Sequence, residues 1–283
     1  MCLDCHDRSE AMETTAPRSY LFVPGNRPDR YAKAIAAGAD AVIVDLEDAV
    51  PPGEKESARA ALAAWLSPEH PVLIRVNGGE SPWFREDLVL CKAQGVAGVL
   101  LPKAENAEDI RIIGEYSGAL AIVPMIETAR GFSNAHALAK GPQVQRFVFG
   151  SIDFQLDLGI QGEEEELLYF RSHLVLVSRI ANLHSPVDGV TTAIDDAERV
   201  RRETLRAKRL GFGAKLCIHP KQVNVVNECF EPTEAEQSWA KKIVEAAEAA
   251  GGAAVSVEGK MVDRPVIARA EAILARIKQR RDL

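Results

Sequence analysis

YLFVPGNRPDRYAKAIAAGADAVIVDLE, from Tyr20 to Glu47, holds two short aliphatic runs with a segment of helical period between them. A run, a crossover of helical period and a second run is the unit of a parallel sheet, because parallel strands need a long connection. The unit recurs along the chain. Further runs are VLIRVN (Val72 to Asn77), GVLLPK (Gly98 to Lys103), AIVPMIE (Ala121 to Glu127), RFVFGSID (Arg146 to Asp153), SPVDGV (Ser185 to Val190) and AKLCIHP (Ala214 to Pro220), making eight candidate strands. Helical stretches lie at Arg30 to Ala37, Lys55 to Leu66, Asn106 to Tyr116, Leu167 to Leu183, Ala197 to Leu210 and Glu234 to Ala250, with Gly38, Gly95 and Gly211 as stops.

Eight such units predict an α/β fold, a TIM (β/α)8 barrel. The doubly wound alternative would carry G-x-G-x-x-G after an early strand, and that pattern is absent. After Gly251 and Gly252, AVSVEGKMVDRPVI reads as a short hairpin and Ala268 to Arg281 as a terminal helix. The domains are therefore a tail over 1–17, a barrel over 18–252 and a C-terminal hairpin-helix extension over 253–283. Such an extension covers the barrel mouth of its own subunit or reaches a neighbour, a route to an oligomer.

The 283 residues are 47% hydrophobic with a net charge of -7, and the basic residues are scattered. No nucleic-acid partner is expected, since no basic patch is present to neutralise phosphates. No apolar run approaches the ~18 residues of a membrane span, and the first residues are too polar for a signal peptide, so a cytoplasmic protein with small-molecule partners is expected. The five cysteines read as free thiols. Cys2, Cys5 and His6 spell C-x-x-C-H, but haem attachment implies export and zinc needs a second ligand pair; the reading is a disordered, charged tail.

Active sites of such barrels form at the carboxyl ends of the strands. The polar residues there are Asp45, Glu47, Asp48, Arg75, Asn77, Lys103, Glu127, Asp153, Asp188 and His219. Glu127 and Asp153, on successive runs, are either a pair for a hard divalent cation such as magnesium or strand-end caps. Arg75 either binds a substrate carboxylate or enolate, or pairs internally with Glu47 or Asp48. Lys103 invites a Schiff-base reading, which the metal carboxylates oppose as an alternative electron sink. His219 reads as a structural histidine, and Glu163 to Glu166 as a solvated helix start.

RSYLFVPGNRPDRYAKA, GADAVIVDLEDAVPPGEKESAR, IRVNG, GVLLPKAE, PMIETARG, FGSIDFQLDLG, GFGAKLCIHPKQV and GKMVDRPVIARAEAIL occur in this order. By these landmarks the chain resembles the citrate lyase β-subunit family, of the HpcH/HpaI aldolase/citrate lyase superfamily with its malyl-CoA and citramalyl-CoA lyases. The resemblance implies a magnesium ion on Glu127 and Asp153, with Arg75, Glu47, Asp48 and Lys103 toward the substrate. It implies that Phe22, Arg27, Arg30 and Lys33 serve a coenzyme A or acyl-carrier phosphopantetheine arm. It also implies a homotrimer or dimer of trimers in which Asp263 enters a neighbour's site as an acid or base. Many relatives carry an acidic residue directly before the metal aspartate, where this chain has Ile152.

The implied activity is a magnesium-dependent carbon–carbon lyase on a β-hydroxyacyl thioester such as citryl-, malyl- or citramalyl-CoA. Three other readings stay open: a malate-synthase-like or thioesterase activity at the same site, a dependent subunit of a lyase complex, and a metal-dependent pyruvate aldolase on free acids.

Overall fold

In the computed structural model, residues 16–249, 255–257 and 260–281 are described. Cys2, Cys5, His6 and nearly all of the predicted tail lie outside them. The chain divides into two compact units, Pro17–Phe230 and one containing the residues from Glu231 onward.

The first unit is a closed barrel of eight strands in sequence order: β1 Ser19–Pro24, β2 Ala41–Asp45, β3 Val72–Arg75, β4 Val96–Leu101, β5 Ala121–Ile126, β6 Val148–Phe149, β7 Val187–Asp188 and β8 Ala214–Cys217. All neighbours pair in parallel, and β8 closes on β1 through Ser19 and Lys215. Around them lie α1 Tyr31–Ile35, α2 Lys55–Trp65, α3 Phe84–Leu88, α4 Ala107–Ser117, α5 Ala129–Ser133, α6 Ala135–Leu138, α7 Ser151–Leu158, α8 Leu168–Ile180, α9 Ala197–Leu210 and α10 Pro220–Phe230. The TIM barrel expected from the alternation is the fold observed. Gly211 ends α9 with φ of 100°, the left-handed conformation that a helix stop requires.

Side chains alternate across each strand, so one parity points into the barrel and the other toward the helices. Tyr20, Ile43, Leu73, Leu100, Val123, Val148, Val187 and Leu216 pack as the interior core. The opposite parity, including Leu21, Val44, Ile74, Val99 and Ile122, packs against the helices. Continuing the inward parity by two residues per step reaches Asp45 on β2 and Glu47 just past it, Arg75 on β3, and Met125 on β5 and Glu127 just past it. The top layer of the interior is thus charged.

Two runs are shorter than their sequence suggests. RFVFGSID is a strand only at Val148–Phe149; Gly150 turns the chain and Ser151 opens α7, so Asp153 sits in the first turn of a helix, not on a strand. AKLCIHP stops pairing at Cys217, and Pro220 opens α10. Proline without an N–H suits a first helical turn.

In the second unit, α11 Glu234–Ala249, the antiparallel β9 Val255–Val257 and β10 Lys260–Val262, and α12 Arg264–Arg281 share an apolar cluster of Ala240, Ile243, Val262 and Ala270. The sequence reading placed the 234–250 helix with the barrel, whereas α11 packs along α12, and its apolar face is completed there. The terminal helix begins at Arg264 rather than Ala268, with the Val266 amide 3.4 Å from Asp263 Oδ1. Among the described residues no helix is long and apolar enough to cross a membrane.

Candidate active site

Asp45 and Arg75 are register partners on β2 and β3. Arg75 Nε donates to Asp45 Oδ1 at 2.7 Å and Nη2 to Oδ2 at 2.6 Å, a bidentate pair. Nη1 lies 3.1 Å from Glu47 Oε2. The guanidinium carbon stands 4.8 Å from the Phe22 ring centroid, so the cation rests on an aromatic face. Burial alone would lower the Arg75 guanidinium; the hydrogen bonds and charge of Asp45, then Glu47 and Glu127, outweigh it and hold it above its ordinary value. The internal pair that the sequence left open is therefore real, with Asp45 as the principal partner. Asp48 is instead exposed and 3.9 Å from Lys103 Nζ.

Glu127 is 1% exposed. Its Oε2 accepts the Lys103 backbone N–H at 2.7 Å, while its Oε1 is buried with no partner. Lys103 reaches this donor position with φ of 45°, in the left-handed region where a non-glycine residue is strained. Burial pushes the Glu127 carboxyl up to about 8, with the charges of Glu47 and Asp153 adding to it against the pull of Arg75. Gly150 makes room for it: a Cβ there would lie 2.3 Å from Glu127 Cγ. A carboxylate with an unpartnered buried oxygen and a second carboxylate close by is a donor set for a hard divalent cation. Among the described residues no group of three or more His, Cys, Asp or Glu could hold a metal. Two carboxylates are what magnesium-type sites commonly use, leaving positions for water and substrate.

Lys103 Nζ pairs with Glu47 Oε1. Burial would lower its amine, but the hydrogen bond and charge of Glu47 raise it above the usual lysine value. A Schiff-base nucleophile needs the opposite shift, so the geometry speaks for a cation that holds Glu47. Lys55 is a residue the sequence reading passed over. Its buried amine donates to Leu46 O and Glu47 O at 2.7 Å each and to Asn77 Oδ1 at 2.8 Å. Asn77 in turn donates to Asp87 Oδ2. One buried cation therefore clamps the loop that carries Glu47, and its place in the charged EKESAR stretch is that of a surface lysine.

Two cavities open at this end of the barrel. One, of about 430 Å³, is lined by Phe22, Asp45, Arg75 and Asp153 together with Met125, Ile152, Val190, Leu216 and Ile218. The other, of about 620 Å³, is lined by Glu47, Lys55, Asn77, Trp83, Lys103 and Thr128, among others. Asp48 and Ala49 border both. Asp153 and Gly150 line the first cavity, and Glu127, which lines neither, is buried against Gly150.

The remaining sequence candidates lie apart from this cluster or play other parts. Arg27 is paired with Asp29, and Arg30 and Lys33 are exposed on the β1–α1 segment. His219 Nδ1 accepts the Lys221 amide at 3.2 Å, a turn contact. Asp188 is fully buried against Arg171 at 2.8 Å and Lys215 at 3.7 Å, a structural ion pair away from the cavities. Glu164 to Glu166 are exposed and open the helical turn Glu165–Leu167, the solvated helix start expected, with Glu163 and Glu164 each 3.6 Å from Arg199 and Arg206.

The family profile described as HpcH/HpaI aldolase/citrate lyase matches residues 18–220. A citrate lyase subunit beta-like protein of Deinococcus radiodurans is 38% identical over 277 residues, covering 91% of this chain and 96% of that protein. A (3S)-malyl-CoA thioesterase of Cereibacter sphaeroides is 34% identical over 274 residues, covering 91% and 96%. Among solved structures, protein CitE of Mycobacterium tuberculosis in complex with magnesium, acetoacetate and coenzyme A superposes with a TM-score of 0.83 at 32% identity, covering 94% of this chain and all of that one. The citrate lyase beta subunit from the same organism, complexed with oxaloacetate and magnesium, superposes at 0.69 over 77% of this chain and 98% of that one. By profile, by sequence and by fold, the chain belongs to the HpcH/HpaI aldolase/citrate lyase family.

Proposed function

We propose that the protein is a magnesium-dependent carbon–carbon lyase acting on a β-hydroxyacyl thioester of coenzyme A, with Glu127 and Asp153 as the metal carboxylates and Arg75 on the substrate. The observation that carries this reading is the unpartnered, buried Glu127 Oε1, packed against Gly150 of the cavity that Asp153 and Arg75 also line. The M. tuberculosis relative, whose complex holds magnesium, acetoacetate and coenzyme A, supports the same ligand classes here.

Glu127 and Asp153 would hold the magnesium ion, which would supply Lewis-acid polarisation of the nascent carbonyl. The chain's own groups do the rest. A base takes the hydroxyl proton, the bond between the α and β carbons breaks, and its electron pair becomes the thioester enolate. A proton then converts the enolate to the acetyl-type thioester, leaving an oxo acid. Arg75, fixed by Asp45 and Glu47, is preorganised to face developing oxyanion charge. Lys103 and Lys55 hold Glu47, so the loop that borders both cavities keeps its place. Asp263, which precedes α12, is carried in this proposal as the acid–base group that a second copy of the chain contributes within a homotrimer. Phe22 in this reading supports Arg75, and the exposed Arg30 and Lys33, with Arg27 beside Asp29, are the cations carried for coenzyme A phosphates.

The test is magnesium-dependent release of acetyl-CoA or propionyl-CoA from malyl-, citramalyl-, methylmalyl- and citryl-CoA, with Asp153→Ala as the control. Release abolished by the substitution supports the lyase. A second reading, thioester hydrolysis, is favoured by the C. sphaeroides relative named a (3S)-malyl-CoA thioesterase. Free thiol appearing without acyl-CoA product would decide for it.

A further inference from the structure

The barrel-mouth cavity has two unlike sides. Asp45, Asp48, Arg75 and Asp153 line one part, and Phe22, Met125, Ile152, Val190, Leu216 and Ile218 line the rest. Ile152 is 42% exposed and Ile218 39% exposed, so two branched aliphatic side chains stand open at a mouth otherwise rich in charge. An aliphatic side chain left open in a concave, half-charged cavity is covered when a ligand brings hydrocarbon to it. Ile152 directly precedes Asp153 on the first turn of α7, so the apolar wall begins beside the metal carboxylate.

Beyond Arg75, the charged part offers no cation to a second anion. Arg75 is the sole cation lining this cavity among the described residues. Its Nε and Nη2 donate to Asp45 and its Nη1 lies 3.1 Å from Glu47, so what remains of its five N–H groups serves the one oxyanion of the lyase reading. Lys103, lining the neighbouring cavity, is engaged by Glu47. A carboxylate carried on the far side of the substrate would be desolvated against isoleucine and aspartate with no partner, which is costly.

We propose that the site selects oxo-acid partners with an uncharged alkyl side chain, the ethyl of 2-oxobutyrate being favoured over the hydrogen of glyoxylate and over the carboxymethyl of oxaloacetate. The proposal rests on the lyase reading, in which the metal chelates the oxo-acid carboxylate and carbonyl and leaves the side chain to face Ile152 and Ile218. An ethyl group against such a wall favours binding over hydrogen by about tenfold or more.

Isothermal titration calorimetry with magnesium present, on the full chain, compares glyoxylate, pyruvate, 2-oxobutyrate and oxaloacetate; a separate titration with magnesium alone reads metal binding. The expected order is 2-oxobutyrate, then pyruvate, then glyoxylate and oxaloacetate. Ile152→Ala and, as an independent variant, Ile218→Ala should each shrink the ratio of 2-oxobutyrate to glyoxylate affinity several-fold. Ile152→Lys should raise oxaloacetate relative to 2-oxobutyrate. Oxaloacetate binding as tightly as 2-oxobutyrate overturns the proposal while leaving the lyase reading intact. So does a general loss of affinity in both alanine variants with the ratio unchanged. A protein that binds magnesium and none of the oxo acids overturns the lyase reading and the selectivity with it.

Discussion

Asp45 and Arg75 sit side by side in the β2–β3 register and close a bidentate pair of 2.7 and 2.6 Å in the lining of the barrel-mouth cavity. The pair fixes the guanidinium plane, Glu47 lies 3.1 Å from Nη1, and the Phe22 ring covers one face. An arginine so held presents a fixed charge without reorganising when a ligand arrives.

Asp45→Asn keeps the shape and removes the charge. Breaking one side of a buried pair costs about 3 kcal/mol or more, read as a lower urea midpoint with an unchanged slope. Arg75→Lys loses the planar fork, and kcat for thioester cleavage should fall by about 100-fold or more. An Arg75→Lys enzyme with unaltered kcat would remove Arg75 from the chemistry.

Glu127 supplies a pH dependence whose sign is determined. Burial raises its carboxyl to about 8 in the metal-free chain, above the ordinary carboxylate value. The folded state therefore holds a proton that the unfolded state has lost, and metal-free stability declines as pH rises from the ordinary carboxylate range through about 8. A cation on Glu127 must displace that proton, so magnesium affinity should rise with pH up to about 8 and then level. Thermal unfolding with and without magnesium from pH 5 to 9 reads both, and the gap between the two curves should widen upward in pH.

Gly150→Ala puts a Cβ 2.3 Å from Glu127 Cγ and 2.6 Å from its Oε1. The carboxylate must move, and magnesium affinity should fall by about tenfold or more. Gly53→Ala, which meets nothing within 4 Å, is the matched control and should bind magnesium as the parent does.

Lys55→Met retains the stem and deletes the ammonium. Leu46 O, Glu47 O and Asn77 Oδ1 each lose a donor, and the expected cost is about 3 kcal/mol by chemical denaturation. Activity should fall further than stability explains, because the Glu47 loop is freed.

Asp263 is tested by mixing. Asp263→Asn and Asp153→Ala chains, each inactive alone, should recover part of the lyase activity when co-assembled, since some sites then receive both intact groups. No recovery from oligomers shown to be mixed would confine Asp263 to its own subunit or to helix capping.

The alternation of aliphatic runs and helical segments from Tyr20 to Pro220 determined the barrel by itself, because period-two and period-3.6 patterns are local properties of the chain. The ends of the same runs placed Asp45, Glu47, Arg75 and Glu127 at the carboxyl rim, and the C-terminal hairpin was legible in its own residues. Other features depended on what stands next to what. That Arg75 answers to Asp45 and that Lys103 is held protonated by Glu47 are relations between segments far apart in sequence. Lys55 shows the limit most clearly: in one dimension it is one charged residue among many, and only the folded barrel buries its amine among three oxygens. Burial and charge proximity set these roles, and both are properties of the closed barrel that no local pattern encodes.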